Sequence, residues 1–212
     1  MDGVIIDSEP FHWEVNKKNF YTLGIEVPEK EYENYIGVSN VNMWTEIKKK
    51  HGLLQPVEQL VNMQVSGNID FMKRERFDPI DGVIDFIVEL KSRNTALAIA
   101  SSSPNIIIGM VLNGFGIKKY FDVIVSGEDF ENGKPAPDIF LKAASLLKIS
   151  PEQCIVIEDS THGVDAARAA GMKCLGFSNK NSLNQDLKNA DSVFKTFRDL
   201  SVKAILRLDE PS

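Results

Sequence analysis

The chain has 212 residues, 43% hydrophobic and 25% charged, enough to bury a core and of a size for one large domain or one domain with an insertion. Its 24 Lys and Arg against 30 Asp and Glu leave a net charge of −6 and no basic stripe to neutralise a phosphate backbone, which argues against nucleic acid as a partner. No apolar stretch approaches the ~20 residues that span a bilayer, and the N-terminus lacks a basic segment followed by an apolar one, so no membrane partner is expected. Two cysteines in apolar runs make a reducing, cytoplasmic setting the default, and a monomer is the expected state.

The chain opens on Met1-Asp2-Gly3-Val4-Ile5-Ile6-Asp7-Ser8-Glu9, which reads as a loop at a strand end entered halfway. From about Pro10 to Asp78 the spacing is helix-like, with no strand-like apolar run, and predicts a separate helical insert. Trp13, Phe20 and Leu23 can share one helix face, and Trp44, Ile47 and Leu53 another, with Lys48-Lys49-Lys50 as a solvated edge. Beyond Pro79 helix and strand patterns alternate. Val83, Ile84, Phe86, Ile87 and Leu90 mark a helix face, followed by a strand over Thr95–Ala100 and a helix from Pro104 to Gly114. A strand over Phe121–Val125, a helix from Ala136 to Lys148 and a strand over Cys154–Ile157 come next. An Ala-rich helix from Thr161 to Ala170 stops at Gly171, and strands over Lys173–Phe177 and Ser192–Phe194 close the series. The pattern is α/β: an open, Rossmann-like parallel sheet built from residues 1–9 and 79–212, with an all-α insert at 10–78. Cys154 and Cys174 each lie in a short apolar run and are expected to be reduced core thiols. The tail 208–212 is expected to fray.

Four segments fall where strands end, and in a parallel sheet all of them open on one edge. They are Asp2-Gly3-Val4-Ile5, Ala100-Ser101-Ser102-Ser103, Gly133-Lys134-Pro135-Ala136-Pro137 and Ile157-Glu158-Asp159-Ser160. Together they supply carboxylates for a hard cation, a hydroxyl and amides for an anion, and one lysine to neutralise charge, a set suited to phosphoryl transfer. Each segment also has a plainer reading. Glu158-Asp159-Ser160 can be a helix N-cap, Ser103 is expected to cap the helix after Pro104, Lys134 can be a solvated loop lysine, and Asp138 is expected to cap or brace.

In this order and at these spacings the segments resemble the haloacid dehalogenase-like hydrolase superfamily, and within it the β-phosphoglucomutase-like phosphatases, over nearly the whole chain. The resemblance implies that the helical insert is a cap and that a small phosphorylated metabolite, a sugar phosphate in particular, is the substrate. It implies Mg²⁺ as cofactor, held by Asp2 through its main-chain carbonyl and by Glu158 and Asp159. Asp2 matches the general acid/base aspartate, Ser101 the phosphate-binding serine acting with the amide of Ser102, and Lys134 the ammonium of the third motif. Asn105, His12 and Ser39 are the remaining candidate substrate contacts, His12 being either a ligand near the acid/base or a structural histidine. His51 and His162 receive no role, and His162 is expected to line the helix that follows the acidic motif. The mutase pattern carries basic residues at the positions of Ile36 and Asn40, so hydrolysis is expected over mutase chemistry. The family's nucleophile is an Asp two residues ahead of the acid/base, at the tip of a central strand. The expectation is that this strand and its Asp precede Met1 in the native protein, the alternative being a fragment or a non-catalytic phosphate-binding relative. Asp7 lies beyond the loop and is a poor substitute. The cap is expected to hinge near Ser8–Pro10 and Pro79–Gly82.

Overall fold

A computed structural model of the chain describes residues 1–181 and 185–206. The tail expected to fray lies outside them. In chain order the helices and strands are α1 (Glu9–Thr22), α2 (Glu29–Tyr32), α3 (Asn40–His51), α4 (Val57–Arg74), α5 (Val83–Ser92), β1 (Ala98–Ser101), α6 (Asn105–Gly114) and β2 (Val123–Ser126). They continue with α7 (Asp138–Leu147), β3 (Ile155–Glu158), α8 (Thr161–Ala169), β4 (Lys173–Phe177), β5 (Ser192–Phe194) and α9 (Val202–Leu206). The architecture is α/β with all strand pairs parallel, as the alternation from Pro79 onward predicts. No helix among the described residues is long and apolar enough to cross a membrane.

Helices α1, α3 and α4 pack on one another around their own apolar cluster. Phe20, Tyr32, Trp44, Ile47 and Leu60 are buried in it, with Trp13, Leu23 and Leu53 against it, so both apolar faces read from the sequence meet there. Trp44 satisfies its indole N–H on Gln64 Oε1 at 2.8 Å, which lets the largest side chain of the cluster be fully buried. The lysine run is not a uniform solvated edge. Lys48 Nζ donates to the Leu53 and Gln55 carbonyls at 2.6 and 2.7 Å and so closes the loop past the left-handed Gly52, while Lys49 and Lys50 are exposed.

The strands form two half-sheets among the described residues, β1–β2 and β3–β4–β5. β1 pairs Ala98 to Val123 through Ser101 to Ser126, and β3 pairs Ile155 to Lys173 through Glu158 to Gly176. Between the remaining edges of β1 and β3 lies an apolar slot of about 310 Å³, lined by Ala98, Ala100, Ile155 and Ile157 and roofed by Ile87 and Phe140. Met1 lies at this slot, and its α-amino group is close enough to favour the charged forms of both Asp2 and Glu158. The strands start one to three residues later than the apolar runs do, at Ala98, Val123 and Ile155, because each run begins ahead of the ladder it joins.

The two linkers to the helical segment run side by side. Ile6 bridges Pro79 in antiparallel fashion and Ile80 N–H donates to the Ile5 carbonyl at 2.8 Å. Cys174 is buried in β4, where burial pushes its thiol up to about 12, so it behaves as a small hydrophobe. Truncating Ile47, fully buried between α3 and α4, to Ala is expected to cost about 2–5 kcal/mol in urea unfolding followed by Trp44 fluorescence.

Candidate active site

Asp2 is the hub of the carboxyl edge. Its Oδ1 accepts from Ser8 Oγ at 3.0 Å and faces His12 Nε2 at 3.4 Å; its Oδ2 accepts from Ser101 Oγ at 3.1 Å and Ser103 Oγ at 2.8 Å. Burial opposes ionisation here, yet His12, the chain's α-amino charge and the Ser103 hydroxyl outweigh it and hold the carboxyl far below the usual carboxylate range. Burial likewise opposes the imidazolium, and the Asp2 carboxylate outweighs that, raising the pKa of His12. The two shifts run in opposite directions and together favour a carboxylate beside an imidazolium. Ser103 was expected to cap α6; α6 instead starts behind Pro104 without a side-chain cap, and the Ser103 hydroxyl is spent on Asp2.

Lys134 and Glu158 form the second group. Lys134 Nζ is buried, paired to Glu158 Oε1, 3.4 Å from the Ala100 carbonyl and over the Phe140 ring at 4.8 Å, so it spans from the tip of β1 to the tip of β3. It is not a solvated loop lysine. Burial raises the Glu158 pKa but the ammonium prevails and holds it below its usual value. Ser160 caps α8 by accepting from Gly163 N–H and donates to Glu158 Oε2 at 3.2 Å, so the acidic motif is a cap and a charge site at once. Glu158 lies across the first turn of α8, where a Cβ on Gly163 would come within 2.0 Å of its Oε2.

Asp159 packs on the backbone of Gly3, whose ideal Cβ would fall 1.7 Å from Asp159 Oδ2; with φ of +66° this position takes glycine on both counts. The cradle brings a buried carboxylate against the main chain that follows the Asp2 carbonyl. Hard oxygen donors of this kind fit Mg²⁺, which binds by one or two carboxylates and keeps its remaining sites for water and phosphate. Among the described residues no group of three or more His, Cys, Asp or Glu side chains is placed to hold a metal ion.

Of the other candidates, Ser102 donates its hydroxyl to the Gly37 carbonyl at 3.1 Å, which joins this loop to the helical segment. Ser39 caps α3 by accepting from Asn42 N–H at 3.3 Å and packs against Gly133, beside Lys134. Asn105 is exposed and is engaged by both its amides with Glu128. Asp7 is bound by the side-chain amides of Asn179 and Asn181, and Asn179 also donates to the Gly3 carbonyl at 3.0 Å. Sequence reasoning missed Ser8, Ser103, Glu9 and these two asparagines. Glu9 sits beside His12, Asp2 and Asp7, where burial and the two carboxylates raise it to about 7 against the pull of His12. Its proximity to the motif was the one available signal.

Two measurements follow. Lys134→Met leaves Glu158 buried and uncompensated, so it should cost about 3–5 kcal/mol in urea unfolding, and adding Glu158→Gln should restore much of the loss. Glu9 binds a proton in the folded state up to about pH 7 but loses it near 4.5 when unfolded, so its contribution to stability falls as pH rises through that window. Glu9→Gln should therefore raise the melting temperature at pH 8 and leave it nearly unchanged at pH 4.5.

Residues 1–177 match the family described as haloacid dehalogenase-like hydrolase. The chain is 30% identical over 176 residues to the phosphorylated carbohydrates phosphatase of Thermotoga maritima, covering 82% of this chain and 80% of that one. It is 32% identical over 179 residues to the chloroplastic protein SUPPRESSOR OF QUENCHING 1 of Arabidopsis thaliana, where the match covers 82% of this chain but 17% of that protein's length. The structure superposes on β-phosphoglucomutase from Clostridium difficile with a TM-score of 0.84 at 28% identity, covering 96% of this chain and 92% of the other. With the four motifs gathered on one sheet edge and this match over most of its length, the chain belongs to the haloacid dehalogenase-like hydrolases.

Proposed function

We propose that the protein is a phosphoric monoester hydrolase acting on a small phosphorylated carbohydrate or polyol. The observation that carries this reading is the Asp2 carboxylate, ringed by Ser8, His12, Ser101 and Ser103 next to the buried Lys134–Glu158 pair. A proton donor, hydroxyls and an ammonium thus meet within one pocket edge. The nucleophile in this reading is an Asp immediately ahead of Met1, on a strand seated in the apolar slot between β1 and β3. Support for that placement comes from the slot's apolar lining, its two strand edges and the position of Met1 at it.

The aspartate oxygen attacks phosphorus in line while the P–O bond to the sugar breaks. The leaving alkoxide takes the proton shared by Asp2 and His12. Water then attacks the aspartyl-phosphate as Asp2 accepts its proton, which releases phosphate and restores the carboxylate. Ser101, turning from Asp2, and the Ser102 amide hold equatorial oxygens, and Lys134 offsets their charge. Asp159, Glu158 and the Asp2 carbonyl would hold Mg²⁺, which when bound neutralises the phosphate. Residues 10–78 act as a cap that excludes water, hinging near Ser8–Pro10 and Pro79–Gly82, beside the bridge between Ile6 and Pro79. A mutase must grip two phosphates, and this chain has a buried Ile36 and an Asn40 where that activity would call for cations, which favours hydrolysis.

The test is phosphate release from a panel of sugar and polyol phosphates with Mg²⁺, by a form carrying Val-Ile-Phe-Asp ahead of Met1. Turnover is expected, and the same extension ending in Asn, or Asp2→Asn within it, should lower kcat at least about 10²-fold. Equal rates for the Asp and Asn extensions would contradict the assignment of the nucleophile.

A further inference from the structure

At one turn of the cap, the contact with the α/β body is made by backbone on the cap side and by side chains on the body side. Three main-chain carbonyls of one cap turn, Glu33, Ile36 and Gly37, accept from Gln185 Nε2 at 3.5 Å, His162 Nδ1 at 3.3 Å and Ser102 Oγ at 3.1 Å. Each donor stands on a different loop of the body: Ser102 after β1, His162 in the first turn of α8 after β3, and Gln185 after β4. His162 thus faces the cap as well as opening α8.

Close backbone approach makes this geometry possible. Gly37 has φ of +80°, and a Cβ there would fall 2.5 Å from Ser160 Oγ and 3.8 Å from the His162 Cβ. On the other flank, a Cβ on Gly133 would fall 3.1 Å from Ser39. The turn itself is fixed by Ile36 N–H donating to the Glu33 carbonyl and Val38 N–H to the Tyr35 carbonyl, at 3.3 and 3.1 Å. Ser102 follows Ser101, and Ser160 and His162 follow Glu158 and Asp159, so two of the loops that touch the turn also carry the charged site.

We propose that Ser102, His162 and Gln185 form a latch that holds the cap shut by gripping the main chain of the turn at 33–39. They act here as positioning residues through their side chains, which grip the turn and set how long the cap stays closed, while the phosphate contact of Ser102 is through its main-chain amide. Because the grip is on carbonyls, side chains of the cap can vary with the substrate while closure is conserved in strength. A shift of the β1 or β3 loop on binding phosphate or metal is passed to the turn through Ser102 and His162. The inference rests on the phosphatase reading only for what the closed space holds.

The test is hydrogen exchange of the substrate-free protein, read on peptides covering residues 33–39. His162→Ala and Ser102→Ala should each speed exchange of that turn roughly 3- to 10-fold. His162→Asn, whose amide can reach the Ile36 carbonyl, should exchange like wild type, and exchange in β3 and β4 should be unchanged in all variants. Gly37→Ala should push the turn off Ser160 and raise the radius of gyration measured by X-ray scattering. Wild-type exchange at 33–39 in the double variant His162→Ala/Ser102→Ala would overturn the latch, as would equal acceleration across β3 and β4, which marks general loss of stability. No substrate enters the measurement, so a failed phosphatase assay leaves its outcome standing.

Discussion

The Asp2 carboxylate accepts from Ser8, His12, Ser101 and Ser103, and in doing so it joins the opening loop, the first cap helix and the tip of β1. A half-buried carboxylate is favoured where its charge is met by donors, and here the donors come from the opening loop, the first cap helix and the tip of β1. The same bonds that keep Asp2 ionised lower its own affinity for a proton, so as a base it would act in concert with His12. The imidazole at its side is where a proton for the opposite role can be kept. Stability and chemistry draw on one set of contacts, so changes at Ser103 or Ser8 act on both.

The second constraint is close approach. Asp159 needs a bare Gly3, Glu158 a bare Gly163, and the cap turn a bare Gly37 over Ser160. These glycines let charged side chains and backbone share a small space at the sheet edge, where Lys134 neutralises Glu158 across the gap between β1 and β3.

Much of this was legible in the sequence. Apolar runs located β4 and β5 to the residue and the other strands to within three; β4 is buried along most of its length and reads as a continuous hydrophobic segment, whereas β5 is a short, largely exposed edge strand. Asp2, Ser101, Lys134, Glu158 and Asp159 stood out because strand ends of a parallel sheet share an edge. What was not legible depended on long-range pairing. Ser103 looked like a cap because Ser before Pro usually is one; only the fold reveals that a carboxylate 101 positions earlier outcompetes the helix. Lys48 looked solvated until the turn at Gly52 brought two carbonyls to its ammonium. The asparagines on Asp7 and the latch on the cap turn join loops too far apart in the chain for any periodicity to report.

The central claim is that this edge recognises a phosphate dianion together with a divalent cation. Its most direct test is calorimetric titration of the 212-residue chain with inorganic phosphate, with and without Mg²⁺. Binding that requires or is strengthened by Mg²⁺, and is lost in Ser101→Ala and Asp159→Asn, is the predicted result. Phosphate binding indifferent to Mg²⁺ and to both substitutions, or none at millimolar phosphate, would contradict the account.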